Sequence, residues 1–367
     1  MPIKTYIGDS NNRAREIKKL YVGNNSNKAV EVNTLYGGVN NIARKVYEKS
    51  SYIWNVYPNN ADHEGITFGN GKFVVIKGSG NSSTHTNYTY HSTDGINWTS
   101  YSTDIMYNSY LQPYLFQIKY LNNKFILIGS AGKLSGYGKD CLKVAYSTDG
   151  INWSTTSKIT LNDTYCSGNI AYGNGTYVEV LYITITQECR YVAYSTDLTT
   201  WTRKSAMPSG VVWRNVGYGN NKFVAIGQGV SSNVNTNAPT NVFAYSTDGI
   251  TWTKGTFPLS KVYSDIEYCN NVFVVTCTGN NALYSYDGIN WTSVSLPCTS
   301  GKRVRLASGN NEFVAVVNNT NETLHSKDGK TWVATQIPIS DAWYCGAYGN
   351  GKFVFLGKDN IAIYSPR

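Results

Sequence analysis

The sequence predicts an all-β protein: seven four-stranded repeats closed into a ring, preceded by a short β-repeat segment. Three observations predict it. The 367 residues are poor in charge, at 15%, yet carry 34 Gly, 30 Tyr and 9 Trp, a balance suited to short strands and tight turns. One phrase with an invariant Asp and Trp recurs six times, and a second, with an aromatic and an Asn turn, seven times.

The first phrase is Ser-x-Asp-Gly-x-x-Trp. Its Asp and Trp are Asp94 and Trp98, Asp149 and Trp153, Asp197 and Trp201, Asp248 and Trp252, Asp287 and Trp291, and Asp328 and Trp332. The Asp can accept backbone N–H bonds within its own turn, the Gly permits a left-handed backbone, and the Trp can pack beneath. These residues are therefore read as structural. The third copy, Asp197-Leu198, lacks the Gly, so its turn is expected to be strained or of another type.

The second phrase precedes each of these and joins two strands. It reads Phe68-Gly-Asn-Gly-Lys-Phe73 in the first copy and Tyr348-Gly-Asn-Gly-Lys-Phe353 in the last. Asn-Gly and Asn-Asn tolerate the positive φ of a two-residue hairpin. Each unit thus reads as four strands over about 45 residues, the period of a propeller blade. The seventh unit stops at Ile361–Ser365 without its last strand, and Tyr52–Pro58 is an unassigned strand. Pairing the two closes the ring and removes two free sheet edges.

Composition excludes several function classes. The longest apolar runs, such as Phe125–Ile128, cannot span a bilayer, and the start Met-Pro-Ile-Lys-Thr-Tyr has no secretory signal core. Seven Cys without a Cys-x-x-Cys pair argue against zinc or a full disulfide framework; Cys269 and Cys277 flank one hairpin and could meet, a reduced pair being expected. His63, His85, His91 and His325 are scattered and no Gly-rich phosphate loop occurs, so no metal and no cofactor is expected. Residues 1–50 hold nine Lys/Arg against four Asp/Glu (+5), and residues 51–367 hold 23 against 19 (+4). The charge is dispersed, so neither nucleic acid nor a membrane is an expected partner.

Recognition is expected on the face carrying the long connections, Lys77–Thr89, Gly129–Lys143, Gly227–Asn241 and Ser100–Phe116. Counting back five residues from each first-strand aromatic gives His63, Leu115, Ser167, Trp213, Tyr263, Arg303 and Trp343. Two residues further along lie Gly65, Gln117, Asn169, Asn215, Asp265, Arg305 and Cys345. The candidate ligand-binding residues around the channel mouth are therefore His63, Trp213, Arg214, Tyr263, Asp265, Arg303, Arg305, Trp343 and Tyr344. Aromatic faces beside amide, carboxylate and guanidinium groups suit a sugar; alternatively the aromatics pack between blades.

The six Asp phrases resemble the Asp-box, or BNR, repeat of sialidase-like β-propellers over nearly all of residues 51–367. That repeat occurs in enzymes, lectins and scaffolds alike. Sialidase activity would imply three arginines, a Tyr–Glu pair and an acidic Asp. The family's Phe/Tyr-Arg-Ile-Pro motif is absent, and Tyr263 and Glu267 should lie about 13 Å apart along a strand. No catalytic residue is assigned.

Residues 1–50 repeat with a period of 15: Tyr6–Leu20, Tyr21–Leu35, and a third copy from Tyr36. They look like the Tyr-Val-Gly-x-Asn…Ala-Arg-Lys-Val repeats of tail and minor structural proteins from phages of Gram-positive bacteria. The resemblance implies a phage tail or tailocin receptor-binding protein, assembled in the host cytoplasm. Residues 1–50 would attach to tail proteins and could form a homotrimer, and residues 51–367 would bind a bacterial cell-surface glycan. The rivals are a sialidase-like hydrolase and a non-catalytic scaffold propeller with a protein ligand.

Overall fold

The computed structural model describes residues 53–59, 65–77, 87–103, 111–133, 141–155, 159–160, 166–182, 190–231, 237–298 and 301–366, together with six strands before residue 50. The chain divides into two units, 1–53 and 54–366. In the first, three antiparallel hairpins follow one another: Tyr6–Gly8 with Ala14–Glu16, Tyr21–Gly23 with Ala29–Glu31, and Thr34–Val39 with Ile42–Glu48.

The second unit is a seven-bladed β-propeller, each blade an antiparallel sheet in chain order. The innermost strands are Gly65–Gly69, Leu111–Leu121, Cys166–Gly173, Val211–Gly219, Tyr263–Cys269, Val304–Gly309 and Trp343–Gly349 for blades 1 to 7. The second strands are the most apolar and form the core: Phe73–Ile76, Phe125–Ile128, Phe223–Ile226 and Phe353–Leu356 are wholly buried. Such runs are expected where both sheet faces are covered by neighbouring blades. Blade 7 takes its outermost strand, Trp54–Pro58, from the start of the unit; it pairs with Asn360–Tyr364, placing Trp54 opposite Tyr364.

The hairpin turns adopt the left-handed backbone that their sequence requires, as at Asn70 (φ 46°) and Gly71 (φ 74°). Their Asn side chains do a second job. Asn350 of blade 7 donates to Thr93 O of blade 1 at 2.9 Å, Asn174 of blade 3 to Thr247 O of blade 4 at 2.9 Å, and Asn220 of blade 4 to Tyr286 O of blade 5 at 2.9 Å. In five blades the recurrent Asn therefore ties one blade to the Ser-x-Asp turn of the next, whereas Asn122 of blade 2 donates to the Tyr177 hydroxyl of blade 3. The Gly following the first-strand aromatic serves the same seam: a Cβ on Gly69 would lie 2.1 Å from the ring of Tyr120 in the next blade.

Each Ser-x-Asp turn is a closed hydrogen-bond unit. In the first, Asp94 accepts the N–H groups of Ile96 and Asn97 at 2.8 Å, and Ser92 Oγ accepts that of Gly95 at 2.8 Å. The indole of Trp98 donates to Gly95 O at 3.2 Å, and Trp153, Trp201, Trp252 and Trp332 do likewise. The Asp197 turn differs less than its sequence suggests. Its hydrogen bonds are the same, and Leu198 takes the Gly conformation at φ 67°.

A left-handed Leu costs roughly 1–2 kcal/mol. It is offset because Leu198 is fully buried among Ile126, Ile128 and Val144 of blade 2. Leu198→Gly should therefore destabilise the propeller by about 1–3 kcal/mol, the cavity outweighing the relief of strain. A urea midpoint that rises in this variant would reverse that balance.

Candidate functional site

The seven innermost strands surround a central channel. Gly65, Gln117, Asn169, Asn215, Asp265, Arg305 and Cys345, one from each blade, all line a chamber of about 530 Å³. The ring is internally bonded along one arc. Asn169 donates to Asn215 Oδ1, Asn215 to Ser264 O at 3.3 Å, and Leu306 N–H to Asp265 Oδ2 at 3.1 Å. Arg305 stands 3.8 Å from Asp265, an ion pair too long to be a hydrogen bond. Its buried Nε has no acceptor among the described residues, nor has the buried Oε1 of Gln117 a donor.

Charge is concentrated on the blade 4 to blade 6 side. Burial lowers the pKa of Arg303, and the guanidinium groups of Arg305 and Arg214 lower it further against the pull of Asp265. Burial pushes the Cys345 thiol up to about 12, so it stays protonated. Burial also raises the carboxyl of Glu267, against Lys119 and the hydroxyl of Ser308. Among the described residues no cluster of three His, Cys, Asp or Glu side chains could hold a metal ion.

The expected arc of aromatics does not face the channel. Trp213 and Trp343 are 0% exposed and Tyr263 is 2%. Trp213 packs with Met207, Val211 and Phe223; the Trp343 indole donates to Thr320 O at 2.9 Å, and the Tyr263 hydroxyl donates to Leu259 O. The cause is a β-bulge. Register shifts between Trp213 and Asn215, between Tyr263 and Ile266, and between Trp343 and Cys345. Counting by twos assumes regular alternation, and one extra residue turns the preceding side chain to the opposite face. In blade 7 the extra residue, Tyr344, lines the chamber instead.

Of the remaining candidates, Asp265 and Arg305 line the chamber, Arg214 and Arg303 are half-buried, and His63 lies outside the described residues. Parts of the four long connections, residues 78–86, 104–110, 134–140 and 232–236, also lie outside them. Cys269 and Cys277 are free thiols. Sequence reasoning missed Lys119, Glu267 and Ser308. Lys119 and Glu267 sit two residues past Gln117 and Asp265 on the same strands, a spacing that was available but not followed inward.

Fold and channel together define a seven-bladed propeller with a polar, arginine-bearing central chamber. The solved structures agree on the fold. Virginiamycin B lyase from Staphylococcus aureus superposes with a TM-score of 0.63 at 12% identity, covering 86% of this chain and 99% of that one. A streptogramin B lyase gives 0.62 at 12% identity over 86% and 98%, and the WD40 propeller domain of Doa1 gives 0.55 at 10% identity over 84% and 94%. No protein-family model and no curated protein matches the sequence. The expectation of a phage tail receptor-binding protein is corrected here. These neighbours are lyases and a WD40 propeller, and nothing in them indicates a phage tail or receptor binding. The fold is one that enzymes and non-enzymes share.

Proposed function

We propose that the propeller is a non-catalytic binding module whose central chamber takes a small anionic solute of the carboxylate class. The observation that supports this reading is the arginine arc: Arg305 enters the chamber with a buried Nε lacking an acceptor, and Arg303 is crowded by its like-charged neighbours. An anion relieves that repulsion and supplies the missing acceptor through charge-assisted hydrogen bonds. The Ser-x-Asp turns support our reading of the repeat as an Asp box, which bears on the framework alone.

Among the described residues the chamber's carboxyl groups and thiol are each already engaged or neutral. Asp265 is held by Leu306 N–H, Glu267 accepts from Ser308 at 3.0 Å, and the Cys345 thiol stays protonated. One similar lyase structure is a catalytically inactive histidine-to-alanine variant. In this chain the described histidines, His91 and His325, are buried within blades, away from the chamber lining.

Calorimetric titration with acetate and propionate tests the reading. The wild-type protein should bind saturably, and Arg305→Met should lose about tenfold or more in affinity with unchanged melting. Equal affinity in the variant, or no binding by the wild type, would overturn it.

A further inference from the structure

Two residues below the Arg305 ring, the channel wall becomes small: Ala171, Gly217, Ala307 and Ala347 occupy four of its seven positions. Two long side chains cross this gap. Lys119 of blade 2 and Glu267 of blade 5, three blades apart in a ring of seven, meet at 4.0 Å. Ser308 of blade 6 holds the second carboxylate oxygen of Glu267 at 3.0 Å. Lys119 and Glu267 line both the arginine chamber and a second space of about 280 Å³ on the hairpin-turn side. The pair therefore stands between the two.

We infer that the Lys119–Glu267 pair is a crossbar that sets the depth of the binding chamber and so selects ligands by length; this rests on the anion-binding reading above. The head group of the ligand meets Arg305, and two residues of strand separate that level from the crossbar, about 7 Å. Between them the chamber wall includes Ile66, Ile118, Ile266 and Leu306, whose side chains are buried in the blade cores, so strand backbone forms much of the wall there and the crossbar alone limits the depth. A longer chain has to part Lys119 from Glu267 and strand a carboxylate in a half-buried site. Removing both side chains of the crossbar together leaves neither charge stranded, so the double variant should keep the fold.

Straight-chain carboxylates from acetate to octanoate, titrated into the full-length protein, test this. In the wild type, affinity should hold through butanoate and fall about tenfold or more at hexanoate. Lys119→Ala combined with Glu267→Ala should recover hexanoate and octanoate binding by about tenfold relative to acetate in the same variant. Glu267→Gln keeps the bulk but leaves no carboxylate to strand, and should move the cut-off less than the alanine variants do. Lys119→Ala alone should move the cut-off in the same direction, and it carries the test if the double variant does not fold. A length profile identical in wild type and both alanine variants overturns the crossbar while leaving the anion site standing. A wild-type protein that binds none of the series overturns both.

Discussion

Replacing Trp54 by alanine should cost the propeller about 3–5 kcal/mol, and removing Trp54–Pro58 should abolish its cooperative unfolding transition. Trp54 is buried at the seam where the ring closes, with ring centroids 5.5 Å from Tyr364, 6.0 Å from Phe355 and 6.0 Å from His325. It thus links the donated strand to the second and third strands of blade 7 and to blade 6. Without Trp54–Pro58, Asn360–Tyr364 loses its ladder partner, and Ile361 and Ile363 lose cover at a new sheet edge. Each blade buries its faces only against its neighbours, so an opened seam exposes two of them. Urea melts followed by circular dichroism decide the matter. A Trp54→Ala midpoint within error of the wild type would mean that the closure adds nothing.

The closure was legible because a repeat that breaks off leaves a countable remainder: Ile361–Ser365 lacked an outer strand and Tyr52–Pro58 lacked a sheet. The hairpins were legible for a local reason, since Asn-Gly has few other uses between apolar strands. The role of the Asn side chains was not, because donation from Asn350 to Thr93 joins neighbouring blades through residues 257 apart in the chain and has no signature in spacing. The channel mouth shows the same limit more sharply. Asp265 and Arg305 lie where period-two counting puts them, but Trp213, Tyr263 and Trp343 do not, because a bulge adds one residue without altering any motif. Bulges are settled by strand twist and inter-blade packing, and those belong to the assembled ring.

Packing also explains why aromatic composition was a poor guide to the site. Aromatics placed at a channel mouth by pattern alone are drawn into the seams between blades, where a Trp buries far more surface than on a rim. Most of the side chains left facing the chamber are those that the seams reject: amides, two carboxyl groups, an ammonium, a guanidinium and a thiol. The chemistry of the site is thus the complement of the chemistry of the core. That is why the arginines, rather than the tryptophans, carry the functional reading.

Acid should unfold the propeller in two stages, with separate residues responsible. His91 is buried in blade 1; burial, then the charge of Lys72, hold its pKa down to about 4 against Gly150 and Asp149. The unfolded chain takes up that proton first, so stability falls as pH drops below about 6.5 and continues to fall toward 4. The loss from pH 7 to pH 5 is on the order of 1–2 kcal/mol. His325, also lowered by burial but opposed by Glu312, adds in the same direction. The second stage belongs to the Ser-x-Asp turns. Partial burial pushes Asp287 up, but the N–H groups of Asn290 and Ile289, the Asn290 amide and the Ser285 hydroxyl outweigh it and bring it to about 2. Asp94, Asp149, Asp197, Asp248 and Asp328 are lowered too. A carboxylate lowered in the folded state stabilises it above the unfolded value of about 3.9 and loses that contribution as pH falls through its folded pKa. Below pH 4 the six turns therefore fail together, and stability should drop far more steeply than between pH 7 and pH 5. Guanidinium midpoints across pH 2–8 measure both limbs. His91→Gln should flatten only the upper limb, and Asp287→Asn should remove close to one proton of uptake from the lower one. Lower-limb slopes that are unchanged in Asp287→Asn would place the acid sensitivity outside the turns.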